Sequence, residues 1–148
     1  GDLPLHYACK KENNEKVIEM LLKYHANVNE KNNIGYTPLH EVCFKDNNEK
    51  TIEILLKHHA DVNEKDKKGK TPLHHACIQE NNENTIIQLL LHNANVNERD
   101  QNNETPLHYL AALQNKNIQL WYSFLKHNVN MNAINSNGMS FLHLLCSS

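Results

Sequence analysis

One seven-residue block returns at nearly constant spacing along this chain, and it constrains the fold more than any other feature. Thr71-Pro72-Leu73-His74-His75-Ala76-Cys77 has copies at Leu3-Pro4-Leu5-His6-Tyr7-Ala8-Cys9, Thr37-Pro38-Leu39-His40-Glu41-Val42-Cys43 and Thr105-Pro106-Leu107-His108-Tyr109-Leu110-Ala111. A looser copy is Ser140-Phe141-Leu142-His143-Leu144-Leu145-Cys146. The prolines stand 34 residues apart, and Phe141 follows Pro106 by 35. A period of this size marks a solenoid, in which each unit buries its apolar face only against its neighbours. The chain opens on a repeat already under way at Leu3, as expected of a segment of a longer protein.

Within one period the residues predict helix, turn, helix and projecting loop. Proline in the first helical turn loses no hydrogen bond, and the preceding Thr37, Thr71 and Thr105 are natural N-caps. Leu5, Ala8 and Cys9, or Leu39, Val42 and Cys43, follow at helical spacing and predict a first helix of about two to three turns. The polar connections Lys11-Glu12-Asn13-Asn14, Lys45-Asp46-Asn47-Asn48 and Gln79-Glu80-Asn81-Asn82 come next. Second helices follow, with apolar cores such as Val17-Ile18-Glu19-Met20-Leu21-Leu22. They end at His25, His59, Asn93 and Asn128, where a left-handed residue is expected. Ala26-Asn27-Val28-Asn29 and its copies then lead into a turn that closes at Gly35, Gly69, Asn103 or Gly138, predicting a hairpin-like loop.

Composition enters by exclusion. The formal charge is −2 with Lys and Glu interleaved, so no basic stripe invites nucleic acid. No apolar run reaches the ~20 residues needed to cross a bilayer, and no membrane partner is expected. Cys9, Cys43 and Cys77 share one repeat slot, so stacking sets them roughly 10 Å apart, beyond the ~7 Å that a disulfide tolerates. Reduced thiols and a cytoplasmic or nuclear compartment are expected, with the slot acting as a small buried position that Ala111 also fills.

The T-P-L-H-x-A-C start, the paired leucines, the Ala-x-Val-Asn segment and the glycine before the next threonine together resemble the ankyrin repeat over essentially all 148 residues. The resemblance implies an all-α ankyrin-repeat solenoid with projecting β-hairpin-like loops, its repeats at 3–36, 37–70, 71–104 and 105–139 with a partial one at 140–148. Two departures stand out: the family's usual period is 33, and its glycine-histidine pair between the helices is missing. Aligning the blocks places the extra residue in the Asn-Asn connection, where a surface loop absorbs it at small entropic cost.

The resemblance also implies function: a non-catalytic module that binds another protein through a concave face of loop tips and first helices, as a monomer and without cofactor. Carried over slot by slot, the contact positions are Ile34, Tyr36, Lys67, Lys68 and Lys70 on the loops. On the first helices they are Tyr7, Glu41, Phe44, Lys45, His75, Ile78, Gln79, Tyr109 and Leu113. Ile34, Tyr36, Phe44, Ile78, Tyr109 and Leu113 would make an apolar strip with lysines at its middle, the composition of a protein-binding patch. The competing structural role is that Phe44 and Ile78 pack under neighbouring loops while Tyr36 stiffens its turn. Trp121, Tyr122 and Phe124 form a second candidate, either an outer contact surface or packing against the fifth repeat. Two alternatives stay open, a substrate-recruiting region of a larger enzyme such as a ligase subunit, acyltransferase or kinase, and a small inhibitor of a signalling protein. The resemblance further implies Asn29, Asn63 and Asn97 as positions for asparaginyl hydroxylation, each eight residues after a leucine.

Sharper chemistry competes with these roles. His6-x-x-Cys9, His40-x-x-Cys43, His74-x-x-Cys77 and His143-x-x-Cys146 pair metal-capable side chains on one helix face, but a zinc site needs four ligands on one ion, and these pairs fall one per repeat. Eleven histidines and seventeen acidic residues supply many possible acid-base pairs, yet none departs from the repeat pattern to define a catalytic site. The motif histidine is expected to tie the loop and adjacent repeats together, leaving the slot of His75, which varies to Tyr7, Glu41 and Tyr109, as the candidate for function.

Overall fold

A computed structural model describes residues 2–45, 48–80, 82–114 and 117–146. Short helices open each repeat: α1 (Pro4–Cys9), α3 (Pro38–Val42), α5 (Pro72–Ile78), α7 (Pro106–Ala112) and α9 (Phe141–Cys146). Longer ones follow: α2 (Glu15–Lys23), α4 (Glu49–Lys57), α6 (Glu83–Leu91) and α8 (Ile118–Lys126). The first set packs in sequence as one row and the second set as another, with α1 on α2, α3 on α4 and α5 on α6 joining the rows.

The first helices hold five to seven residues, roughly one and a half to two turns at 3.6 residues per turn and shorter than the apolar spacing predicts. Side-chain amides explain the early stop. Asn14 Nδ2 donates to the Ala8 carbonyl at 3.2 Å and Asn48 Nδ2 to those of Val42 and Lys45, occupying acceptors that another helical turn would use. Asn13 and Gln114 then reverse the chain with φ of 52° and 53°. Asp46, Asn47 and Asn81 of the predicted connections lie outside the described residues.

The second helices end as their sequence predicts. His25, His59, Asn93 and Asn128 have φ between 54° and 67°. After α2, the His25 N–H donates to Leu22 O and the Ala26 N–H to Leu21 O, both at 3.0 Å, and α4 and α6 close in the same way. This paired closure satisfies carbonyls that a helix end otherwise leaves open. Between the rows lies one continuous core: Leu39, Leu73 and Leu107 from the first helices meet Ile18, Ile52, Leu55, Ile86 and Leu89 from the second. Full burial of each such side chain stabilises the fold by about 1.5–3 kcal/mol. Cys9, Cys43 and Cys77 are free and buried in this core, while Cys146 is free and exposed. Burial pushes the Cys9 thiol up to about 12 and raises Cys43 and Cys77 as well. No helix among the described residues is long and apolar enough to cross a membrane.

Candidate functional site

Each projecting loop is a finger built around one Asn or Asp. Asp66 Oδ1 accepts from the backbone N–H of Lys68 and Lys70 at 2.8 and 2.9 Å, while the Asp66 N–H donates to Lys70 O at 2.9 Å. Asn32, Asp100 and Asn135 fix their fingers with the same pair of side-chain bonds. Gly35 closes the first finger with φ of 85°, and a Cβ there would lie 2.7 Å from Lys67 N. The fingers also join one another, through Lys67 N–H to Ile34 O at 3.3 Å, Gln101 N–H to Lys68 O at 3.0 Å and Ser136 N–H to Asn102 O at 2.9 Å.

The motif histidines carry the fingers on the first helices. His6, His40, His74 and His108 place Nε2 at 2.8, 3.2, 3.1 and 3.1 Å from the carbonyls of Tyr36, Lys70, Glu104 and Met139, each the last finger residue of the repeat. A carbonyl only accepts, so Nε2 bears the proton. Nδ1 in turn accepts the N-cap backbone N–H of Thr37, Thr71 and Thr105 at 3.1, 3.0 and 3.1 Å. Both ring nitrogens are thereby used inside the fold, and the His40 and His74 rings are neutral. Burial drives the protonation of His40 and His74 down to about 4.

The variable slot proves to be the partner of the finger residue nine positions earlier. Asn32 Nδ2 donates to Glu41 Oε1 at 3.1 Å, His75 Nε2 donates to Asp66 Oδ2 at 2.9 Å, and Tyr109 OH donates to Asp100 Oδ2 at 2.6 Å. The chemistry is complementary each time: an amide donor meets a carboxylate, or a carboxylate meets a donor ring. Burial raises the Asp66 carboxyl, but the bonds from His75 and from the backbone of Lys70 and Lys68 outweigh it and hold it ionised. Burial also keeps His75 neutral against the pull of Asp66, and raises Glu41. Sequence reasoning missed the finger residues of these pairs; the fixed spacing of nine with matched donor and acceptor was the available signal.

Glu41 and His75 accordingly lie beneath the face, 5% and 4% exposed, and not on it, because their polar atoms close these pairs. Tyr36 is half-buried, its ring stacked on His40 and Phe44 with centroids 5.6 and 5.5 Å away and set edge-on to His75 at 4.9 Å. Tyr109 is half-buried beneath Lys70, whose Nζ sits 4.1 Å over the ring and 4.0 Å from Asp100. Lys45, Ile78, Gln79 and Leu113 are half-buried as well. Tyr7, Ile34, Phe44, Lys67 and Lys68 are exposed. Of the predicted strip, Tyr36 and Phe44 are in ring contact, and Ile34 is exposed on the same finger as Tyr36, which the second finger bonds through Lys67. The second aromatic candidate divides: Phe124 is fully buried, Trp121 lies 6.1 Å from Phe141, and Tyr122 is exposed.

Two further ladders run between repeats at the base of the fingers. Asn29 accepts from the Asp61 N–H and donates to His59 O, and Asn63 and Asn97 repeat the pattern one and two units on. Lys31 and Lys65 pair with Glu64 and Glu98 at 2.7 and 2.6 Å. A family model described as ankyrin repeats (3 copies) matches residues 5–100 and again 79–148. None of the curated proteins matches the chain significantly. With the two helical rows, the fingers and the histidine staples in place, the match over residues 5–148 means that this chain belongs to the ankyrin-repeat family.

Proposed function

We propose that the chain is a non-catalytic protein-interaction module, as ankyrin repeats generally are, and that its contact surface is the face made by the fingers and first helices. The observation that supports this reading most is the exposed apolar edge at Ile34 and Phe44, 54% and 36% accessible, held on a rigid aromatic base. Tyr36 stacks beneath Phe44, and His40 and His75 brace it from below. Rigid apolar groups at a fixed position bind with little loss of side-chain entropy, which is the property of an interface anchor. The buried ties to His6, His40, His74 and His108 hold the face without taking up its outer atoms.

The experiment is capture of partner protein by the wild-type chain and by the Ile34→Asp/Phe44→Asp variant. Capture is expected to be lost in the variant, because a charge at an apolar contact leaves an unpaired group in the interface.

A further inference from the structure

We infer that this face takes an acidic protein segment, whose apolar or aromatic anchor rests on Ile34 and Phe44 while flanking carboxylates pair with Lys67 and Lys68. The inference rests on the interaction reading above and adds the chemistry of the partner. It starts from a charge imbalance. Lys67 and Lys68 are exposed at the tip of the second finger and have no ion pair among the described residues.

The neighbouring acids are already engaged. Asp66 spends one oxygen on the finger backbone and the other on His75. Glu64 pairs with Lys31, Glu98 with Lys65, and Asp100 with the Tyr109 hydroxyl beside Lys70. Among the described residues, Lys67 and Lys68 thus have no ion-pair partner on this edge of a chain whose formal net charge is −2.

The finger that carries them is bonded to the finger of Ile34 through Lys67. The Lys67 N–H bonds Ile34 O at 3.3 Å, and the Lys67 side chain packs at the site where a Gly35 Cβ would stand, with Cγ 3.1 Å away. Behind them His75, the partner of Asp66, touches the Phe44 ring at a centroid distance of 4.8 Å. Apolar anchor and positive rim are therefore one surface, and an interface of this layout selects partners by complementary charge. A nucleic acid fits poorly, since its affinity comes from many phosphate contacts, and Ile34 and Phe44 would contribute nothing to them.

The test is selection of random dodecapeptides displayed on phage by the full wild-type chain, followed by fluorescence anisotropy with the enriched peptides synthesised. The expected peptides carry Asp or Glu around an aromatic or aliphatic residue, and their affinity falls as salt is raised. Lys67→Glu/Lys68→Glu should weaken them by about tenfold or more, Lys67→Gln/Lys68→Gln by less, with unchanged melting curves since both residues are exposed. Peptides without acidic bias that still lose binding in Ile34→Asp would overturn this inference and leave the interaction face standing. Peptides indifferent to Ile34→Asp and to the lysine variants, or no enrichment, would count against both. Displacement of the peptides by a single-stranded oligonucleotide at equal charge concentration would also overturn it.

Discussion

Asn32→Asp is the substitution that most sharply probes the residue-level pairing. Oδ1 of the new carboxylate would still accept from the Ile34 and Tyr36 amides, but its other oxygen would replace a donor that now bonds Glu41 at 3.1 Å and Asp2 at 2.7 Å. Facing carboxylates in this half-enclosed place should cost about 2 kcal/mol. Adding Glu41→His rebuilds the arrangement that Asp66 and His75 make one repeat later, and should recover more than half of the loss. Urea unfolding of the wild type, both single variants and the double variant reads the coupling directly; additive losses would mean that the two side chains do not act as a pair. On this basis the donor or acceptor character of the slot follows its finger partner: Glu41 accepts from the Asn32 amide, while His75 and Tyr109 each donate to an aspartate.

At the scale of elements, two of the three left-handed glycines, Gly35 and Gly138, separate strain from crowding. Gly35→Ala must accept both φ of 85° and a methyl 2.7 Å from Lys67 N, whereas at Gly138, with φ of 74°, a Cβ meets nothing within 4 Å. The left-handed conformation alone costs about 1–2 kcal/mol, so Gly138→Ala should lose about that much and Gly35→Ala distinctly more. Equal melting temperatures for the two would show that the first and second fingers are not in contact as described. The order of these elements was legible in the chain itself: proline marks the start of four of the five first helices, α9 beginning instead at Phe141, and His25, His59 and Asn93 mark second-helix ends, because these residues act through local backbone geometry. The length of the first helices was not legible, since the Asn14 and Asn48 amides that stop them reach back six residues to carbonyls that no periodicity reveals. The proposed binding face was legible in part. Ile34 and Phe44 stand out as apolar residues on loop and helix edge, but the burial of Glu41 and His75 depends on finger partners that local pattern does not point to.

For the whole molecule, stability depends on rings that stay neutral. His40 and His74 protonate only near pH 4 in the fold, because burial opposes the charge, against an ordinary value of 6.5. As pH falls from about 6.5 toward 4, the unfolded chain takes up protons that the native state excludes, so stability falls through that window and this loss levels off below about 4. Shifts of this size correspond to roughly 3 kcal/mol per ring. A urea midpoint that does not move between pH 7 and pH 4.5 would contradict neutral rings in the staples. Because each ring joins one repeat to its own finger while the fingers bond to one another, acid should loosen the whole array and not a single unit.

On the proposed function, buried staples hold the fold while binding falls to the outer edge at Ile34 and Phe44, so that the two separate by substitution. The most direct test sets partner capture beside thermal melting for Ile34→Asp/Phe44→Asp, with Met20→Asp on the exposed side of α2 as the control. The double variant should lose capture while its melting temperature stays within about 4 °C of wild type, and Met20→Asp should keep both. Retained capture in the double variant, or capture lost only together with a collapse in melting temperature, would contradict the proposed function.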